Sequence, residues 1–179
     1  MASLPNATKG LKGQAHEIMA DIMARRKFDR TEQLGPYRFL LNDPILTKYI
    51  ERLGFYYKYE GTLPRDVFQF LVLGFAKQAG IDFIWRDHIE PAREAGLPDR
   101  VIKALESGDE KLGDPYDRVR ELMGYAFRYK SIPKALQDQI IADFGVDGLL
   151  ELVTLCGFYT MIGMINNCFD VPMPDTSPG

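Results

Sequence analysis

Apolar positions along this chain recur at helical spacing. Between Leu11 and about Arg26, Ala15, Ile18, Met19, Ile22 and Met23 share one face, the three-and-four stepping of an amphipathic helix. "TEQLGPYRFLLNDP" is interrupted by Gly35, Pro36 and Pro44 and reads as loop with short helical turns, and Pro44 opens a helix that runs to about Lys58. In "YEGTLPRD", Thr62 is placed to cap the next helix, Pro64 suits its first turn and Asp66 complements its dipole. From Asp66 to Gln78 the pattern is apolar nearly all round, which predicts a helix buried on several sides. Gly80 allows a break, and a further helix is expected from about Asp82 to Glu94, closed by Gly96 and Pro98. "PDRVIKAL" makes a short helix. The charged loop "ESGDEKLGDP" ends with Asp114 as cap and Pro115 at a first helical position, and helices follow over 115–129, 133–144 and 148–169. No segment alternates with period two between hairpin signals. The pattern predicts an all-α, single-domain bundle of about eight helices over residues 10–170, with a flexible tail at 1–9 and an extended one at 171–179.

Composition narrows the function classes. A length of 179 residues suits one domain with a core built without disulfides or metals, and 46% apolar residues fits a soluble globular protein. The net charge of −3 argues against nucleic acid as a partner. Arg25, Arg26 and Lys27, the densest basic cluster, are flanked by Asp21 and Asp29 and read as a solvated helix end. Cys156 and Cys168 fall in one predicted helix, about 18 Å apart along its axis, too far for a disulfide. Reduced thiols point to the cytoplasm, and "MASLPNATKG" has no apolar signal-peptide run. Residues 152–169 carry no charge, the lower edge of a membrane span. Thr154, Thr160, Asn166 and Asn167 interrupt them and no basic anchors flank them, so a buried core or subunit-interface helix is expected and no membrane. The small residues Cys156, Gly157, Thr160 and Gly163 let another helix approach closely.

The candidate chemistry centres on "GIDFIWRDHIEPAREAG", which holds one of the two histidines. Stepping by three and four from His88 collects Ile81, Ile84, Trp85, Ala92 and Ala95, while Asp82, Arg86, Asp87, Glu90 and Arg93 fall opposite. His88 is therefore predicted to point inward, either as a core histidine or as a proton carrier in a pocket. Pro91 removes the N–H that would bond the Asp87 carbonyl and bends the helix beside the imidazole. No metal is expected, because His16 and His88 are far apart and no His-x-x-x-His, Glu-x-x-His or Cys-x-x-Cys pair occurs. Cys156 and Cys168 lie in apolar surroundings where a thiol is inert. No nucleophile elbow or phosphate-binding glycine loop is present.

"GTLPRDVFQFLVLGFAKQAGIDFIWRDHIEPAREAGLPDRVIKAL" and the closing "LLELVTLCGFYTMIGMINNCFDVPMPD" resemble the carboxymuconolactone decarboxylase and alkylhydroperoxidase D superfamily. "GPYRFLLNDPILTKYIERLGFYYKYEGTLP" fits its longer subfamily, so that the likeness spans about residues 30–173, with W-x-x-H-x-x-P-A-x-x-A-G-L as its core. The resemblance implies an all-helical fold, trimers or hexamers, and a pocket at or near subunit contacts. The peroxidase branch uses a glutamate, a Cys-x-x-Cys pair and a histidine. The histidine matches His88, the cysteines fall at Ile81 and Ile84, and the glutamate falls at Gln69. Many cysteine-free members carry Glu at the position of Ile84; this chain does not. Peroxide reduction by that route needs an attacking and a resolving thiol, which two isoleucines do not provide.

These residues lead to three readings. The first is a cofactor-free lyase or isomerase acting on a small molecule, a lactone or keto acid. His88, uncharged with its pKa lowered by burial away from carboxylates, is its general acid and base, and Gln69 holds a carbonyl or orients a carboxylate. Trp85, Phe68, Tyr57, Ile84 and Ile81 would contact substrate, or be plain core. The second is a peroxide-detoxifying protein with rearranged thiols, disfavoured by Ile81 and Ile84. The third is a non-catalytic oligomeric binding protein.

Overall fold

The computed structural model describes residues 4–108 and 111–172. Two loop positions of "ESGDEKLGDP" and all but the first two residues of the expected extended tail lie outside this range. The fold is all-α: 72% of the chain is helical, in eight helices, with no strand among the described residues. The helices are α1 (Gln14–Arg26), α2 (Tyr37–Leu40), α3 (Pro44–Phe55), α4 (Arg65–Ala79), α5 (Asp82–Glu94), α6 (Asp99–Ser107), α7 (Tyr116–Ala126) and α8 (Lys134–Cys168). The chain divides into two compact units, one comprising residues up to 59 together with those from 164 onward, the other residues 60–163.

In the first unit, α3 starts where Pro44 predicts, because the Asp43 carboxylate accepts the Leu46 N–H at 3.0 Å and caps it. The helix ends at Phe55 and passes into a π-helical turn, Tyr56–Glu60. Here the charge pattern corrects the sequence reading. Arg25 and Arg26 do not form a solvated helix end; both bind the carboxylate of Glu51, which is fully buried in α3. Arg26 Nε lies 2.7 Å from Glu51 Oε1, and both guanidinium groups sit over the Phe55 ring. Ile22, Leu34 and Leu41, each 1% exposed, make the apolar part of this core.

The second unit is organised on α4, which packs against α5, α6 and α7. Its residues from Val67 to Leu73 are all buried, as the unbroken apolar pattern predicts. Gly74 allows close approach to α7, since a Cβ there would lie 3.2 Å from Met123 Cε. Thr62 does not cap α4. Its N–H and hydroxyl instead donate to Oε1 of the buried Glu151, at 2.8 and 3.0 Å, and Pro64 takes the capping position. A shift of the same kind occurs at α7, which begins at Tyr116, with Pro115 before it and a cis Asp114–Pro115 peptide. Asp117 there accepts the N–H groups of Leu112 and Gly113. Helix α8 spans the two helices expected at 133–144 and 148–169, which meet at a kink where Gly145 adopts φ 74°, ψ 175°, a conformation open to glycine. It is the one described helix long and apolar enough to cross a membrane by length and composition, and half of its most apolar window is buried by the chain itself.

Burial pushes the Tyr37 hydroxyl in the first unit and the Cys156 thiol in the second up to about 12, from ordinary values of 10.0 and 9.0. Both groups are held protonated by the folded state, so the stability linked to them is complete below their ordinary values and is lost as pH rises toward the folded ones. Thermal unfolding between pH 8 and pH 11 is expected to show a falling Tm. A constant or rising Tm across that range would show that neither group is buried in solution.

Candidate functional site

The site lies in the second unit. Gly80, in the left-handed conformation at φ 64°, ends α4, and α5 starts two residues later. This tight turn folds α5 back along α4 and brings Gln69 and His88, nineteen residues apart, into contact. His88 is 9% exposed and Gln69 1%. Gln69 Oε1 lies 2.8 Å from His88 Nδ1. A side-chain amide oxygen only accepts, so Nδ1 carries the hydrogen. In the neutral ring the lone pair is then on Nε2.

Tyr159 and Asp87 face that nitrogen. The Tyr159 hydroxyl of α8 is 3.4 Å from Nε2, and the two rings meet edge to face with centroids 5.7 Å apart. Asp87 Oδ2 is 3.8 Å away, on a side chain 52% exposed. Asp87 thus corrects the expectation of an imidazole remote from any carboxylate. Helical spacing puts its Cα on the opposite face, but the side chain of an adjacent residue is long enough to reach back. The imidazolium has a carboxylate partner at the edge of solvent, while the neutral ring has a fixed tautomer.

The walls are apolar. Phe68 is 2% exposed and meets the Tyr159 ring edge-on at 6.3 Å; Phe75 and Phe158 also contact that ring. Ile84 and Ile81 are buried. Gly163 lets α8 lie against Ile81: a Cβ at that glycine would overlap the Ile81 δ-methyl and come within 3.1 Å of Phe75 Cζ. Trp85 is only half-buried, with Lys77 Nζ 5.7 Å from its ring centre, so it is placed to face a cation of α4. Tyr57 is buried in the first unit, edge-on to Tyr56.

Sequence reasoning missed Tyr159. The available signal was a phenolic hydroxyl on the inner side of a long apolar helix, because a buried Tyr O–H requires a polar partner. The Cys156 thiol, 2% exposed and raised to about 12 by desolvation, is a poor thiolate donor, and Cys168 is exposed. Among the described residues no three His, Cys, Asp or Glu side chains gather closely enough to hold a metal ion. A separate cavity of about 190 Å³ between α4, α6 and α7 is walled by Phe70, Leu105 and Met123, with Lys77 and Arg120 on its lining; none of the predicted site residues borders it. Comparison with protein-family models, with curated proteins and with solved structures finds no match.

Proposed function

We propose that this chain is a carboxymuconolactone decarboxylase-like protein, a cofactor-free lyase or isomerase in which His88 moves a proton on a lactone or keto acid. The observation that carries this reading is the Gln69–His88 bond, which holds a buried imidazole in one tautomer with its basic nitrogen toward Tyr159. Nε2 would take a proton from the carbon next to a carbonyl, leaving an enolate. The resulting Nε2–H would return that proton to another carbon, completing an isomerisation; in a decarboxylation, carbon dioxide loss itself would leave the enolate, and an imidazolium Nε2–H already charged from solvent would protonate it. Asp87 would stabilise the imidazolium between these steps, and the Tyr159 hydroxyl would donate to the enolate oxygen. Phe68, Ile81 and Ile84 would keep water from the intermediate.

A peroxidase is a weaker reading, because Ile81 and Ile84 have no thiol and the remaining buried cysteine is held protonated. The non-catalytic reading has one observation in its favour: contacts from Gln69 and Tyr159 would also satisfy an ordinary core histidine. Proton exchange separates them. With the wild-type chain in deuterated water, proton NMR is expected to show deuterium entering the α-position of a keto acid or lactone from a panel of small substrates. If no member of the panel exchanges above the buffer rate, the enzymatic reading fails and the binding reading stands.

A further inference from the structure

The cavity between α4, α6 and α7 has no part in the proton-transfer reading. At about 190 Å³ it is far larger than the voids of a packed core, which rarely exceed a water molecule. Each helix contributes one stripe to its wall. Phe70, Gly74 and Lys77 follow one another at four and three positions on α4, Arg120 and Met123 stand three apart on α7, and Ala104 and Leu105 belong to α6. The stripes sort by polarity. Phe70, Ala104, Leu105 and Met123 are buried and make an apolar floor. Lys77 and Gln78 are exposed and Arg120 is half-buried, so the polar part of the wall lies where the cavity meets solvent.

Both halves of this wall point to a ligand. A dry apolar cavity of about 150 Å³ is large enough for a benzene ring. The floor suits one: the Phe70 ring is there, and the Met123 thioether lies against Gly74, where a Cβ would stand 3.7 Å from its sulfur. Sulfur and ring faces both attract the edges and faces of aromatic groups. The charge is one-sided. Among the described residues of the wall, two are cations and none is an acid. Arg120 Nη2 donates to Asp117 Oδ1 at 3.0 Å, and that carboxylate also accepts the Leu112 and Gly113 N–H groups. Lys77 Nζ stands 5.7 Å from the Trp85 ring centre, an aromatic contact that leaves its charge unneutralised by a carboxylate.

From these facts we infer that the cavity binds a small aromatic carboxylate, with the ring on the Phe70–Met123 floor and the carboxylate at Lys77. An ammonium ligand would be repelled at the mouth, and a neutral one would forgo the charge-assisted hydrogen bond. The inference rests on the cavity alone and not on the chemistry of His88; none of the residues assigned to proton transfer borders it.

The test uses the full chain with carbon-13 at the methionine methyls and 3-phenylpropionate as the probe. The Met123 ε-methyl resonance is expected to shift saturably, with a dissociation constant of about 0.1 mM. The neutral 3-phenylpropanol should bind about tenfold more weakly. Lys77→Gln should weaken the acid about tenfold and leave the alcohol unchanged, and the exposed position makes the fold safe. Ala104→Leu, which fills the floor, should abolish the shift for both ligands at an unchanged or higher Tm. His88→Gln should bind the acid as wild type does, which separates this cavity from the histidine site. No saturable Met123 shift, equal affinity for acid and alcohol, unaltered acid binding in Lys77→Gln, or loss of the shift in a folded His88→Gln would each overturn the inference.

Discussion

His88→Gln is expected to lower substrate proton exchange by about 10²–10⁴-fold, the usual contribution of a placed general base, while leaving the fold intact. The substitution is chosen for what it preserves. A glutamine amide at 88 can still donate to Gln69 Oε1, the partner 2.8 Å from His88 Nδ1, so no buried acceptor is stranded. What is lost is the basic nitrogen facing Tyr159. Circular dichroism and Tm should match wild type within a few degrees. His88→Leu makes the contrast: it leaves the 1%-exposed Gln69 with an unmet oxygen and should cost about 1–3 kcal/mol of stability as well as activity. Wild-type exchange rates in His88→Gln would remove His88 from the chemistry and leave it as a structural histidine.

Glu51→Ala should be the most damaging single change to stability, at about 3–5 kcal/mol. Glu51 is fully buried and neutralises Arg25 and Arg26, the latter with a side chain 7% exposed. Taking the carboxylate away leaves two guanidinium groups beside the Phe55 ring without their shared anion, one of them with almost no access to water. Domains of this size are stable by only about 5–15 kcal/mol in total, so the loss is a large share. The appropriate control is Asp21→Ala. Asp21 pairs with Arg25 on the exposed side of α1, and such a pair contributes about 0–1 kcal/mol. Urea unfolding followed by circular dichroism reads both. Equal effects of the two substitutions would mean that Glu51 is not the buried anchor of α1 on α3.

Several features of this molecule were legible from local pattern. The bounds of α5, Asp82–Glu94, follow from Gly80, Gly96 and the spacing of apolar residues, and the observed helix agrees. The inward turn of His88 follows from the same spacing, and the burial of α4 on several sides follows from its nearly unbroken apolar run. Caps were read less well. Thr62 and Asp114 have the right chemistry in the right place, yet Thr62 is drawn to Glu151, eighty-nine positions away, and the α7 start is shifted by the loop ahead of it. A short polar side chain takes whichever donor or acceptor the tertiary fold brings nearest, and the sequence window does not contain those competitors.

Periodicity, breaks and charge count, which are properties of neighbouring residues, determined the all-α class, the helix order and the inward-facing imidazole. Only the tertiary structure decided who meets whom. Arg25 and Arg26 became the partners of a buried acid instead of a solvated end, Tyr159 came to lie beside His88 Nε2, and Val146, Leu150 and Val153 of α8 were left exposed. The reason is physical. Helix formation depends on residues three and four apart, whereas the pairing of charges and hydroxyls depends on distances between segments dozens of residues apart, and those distances are set by packing.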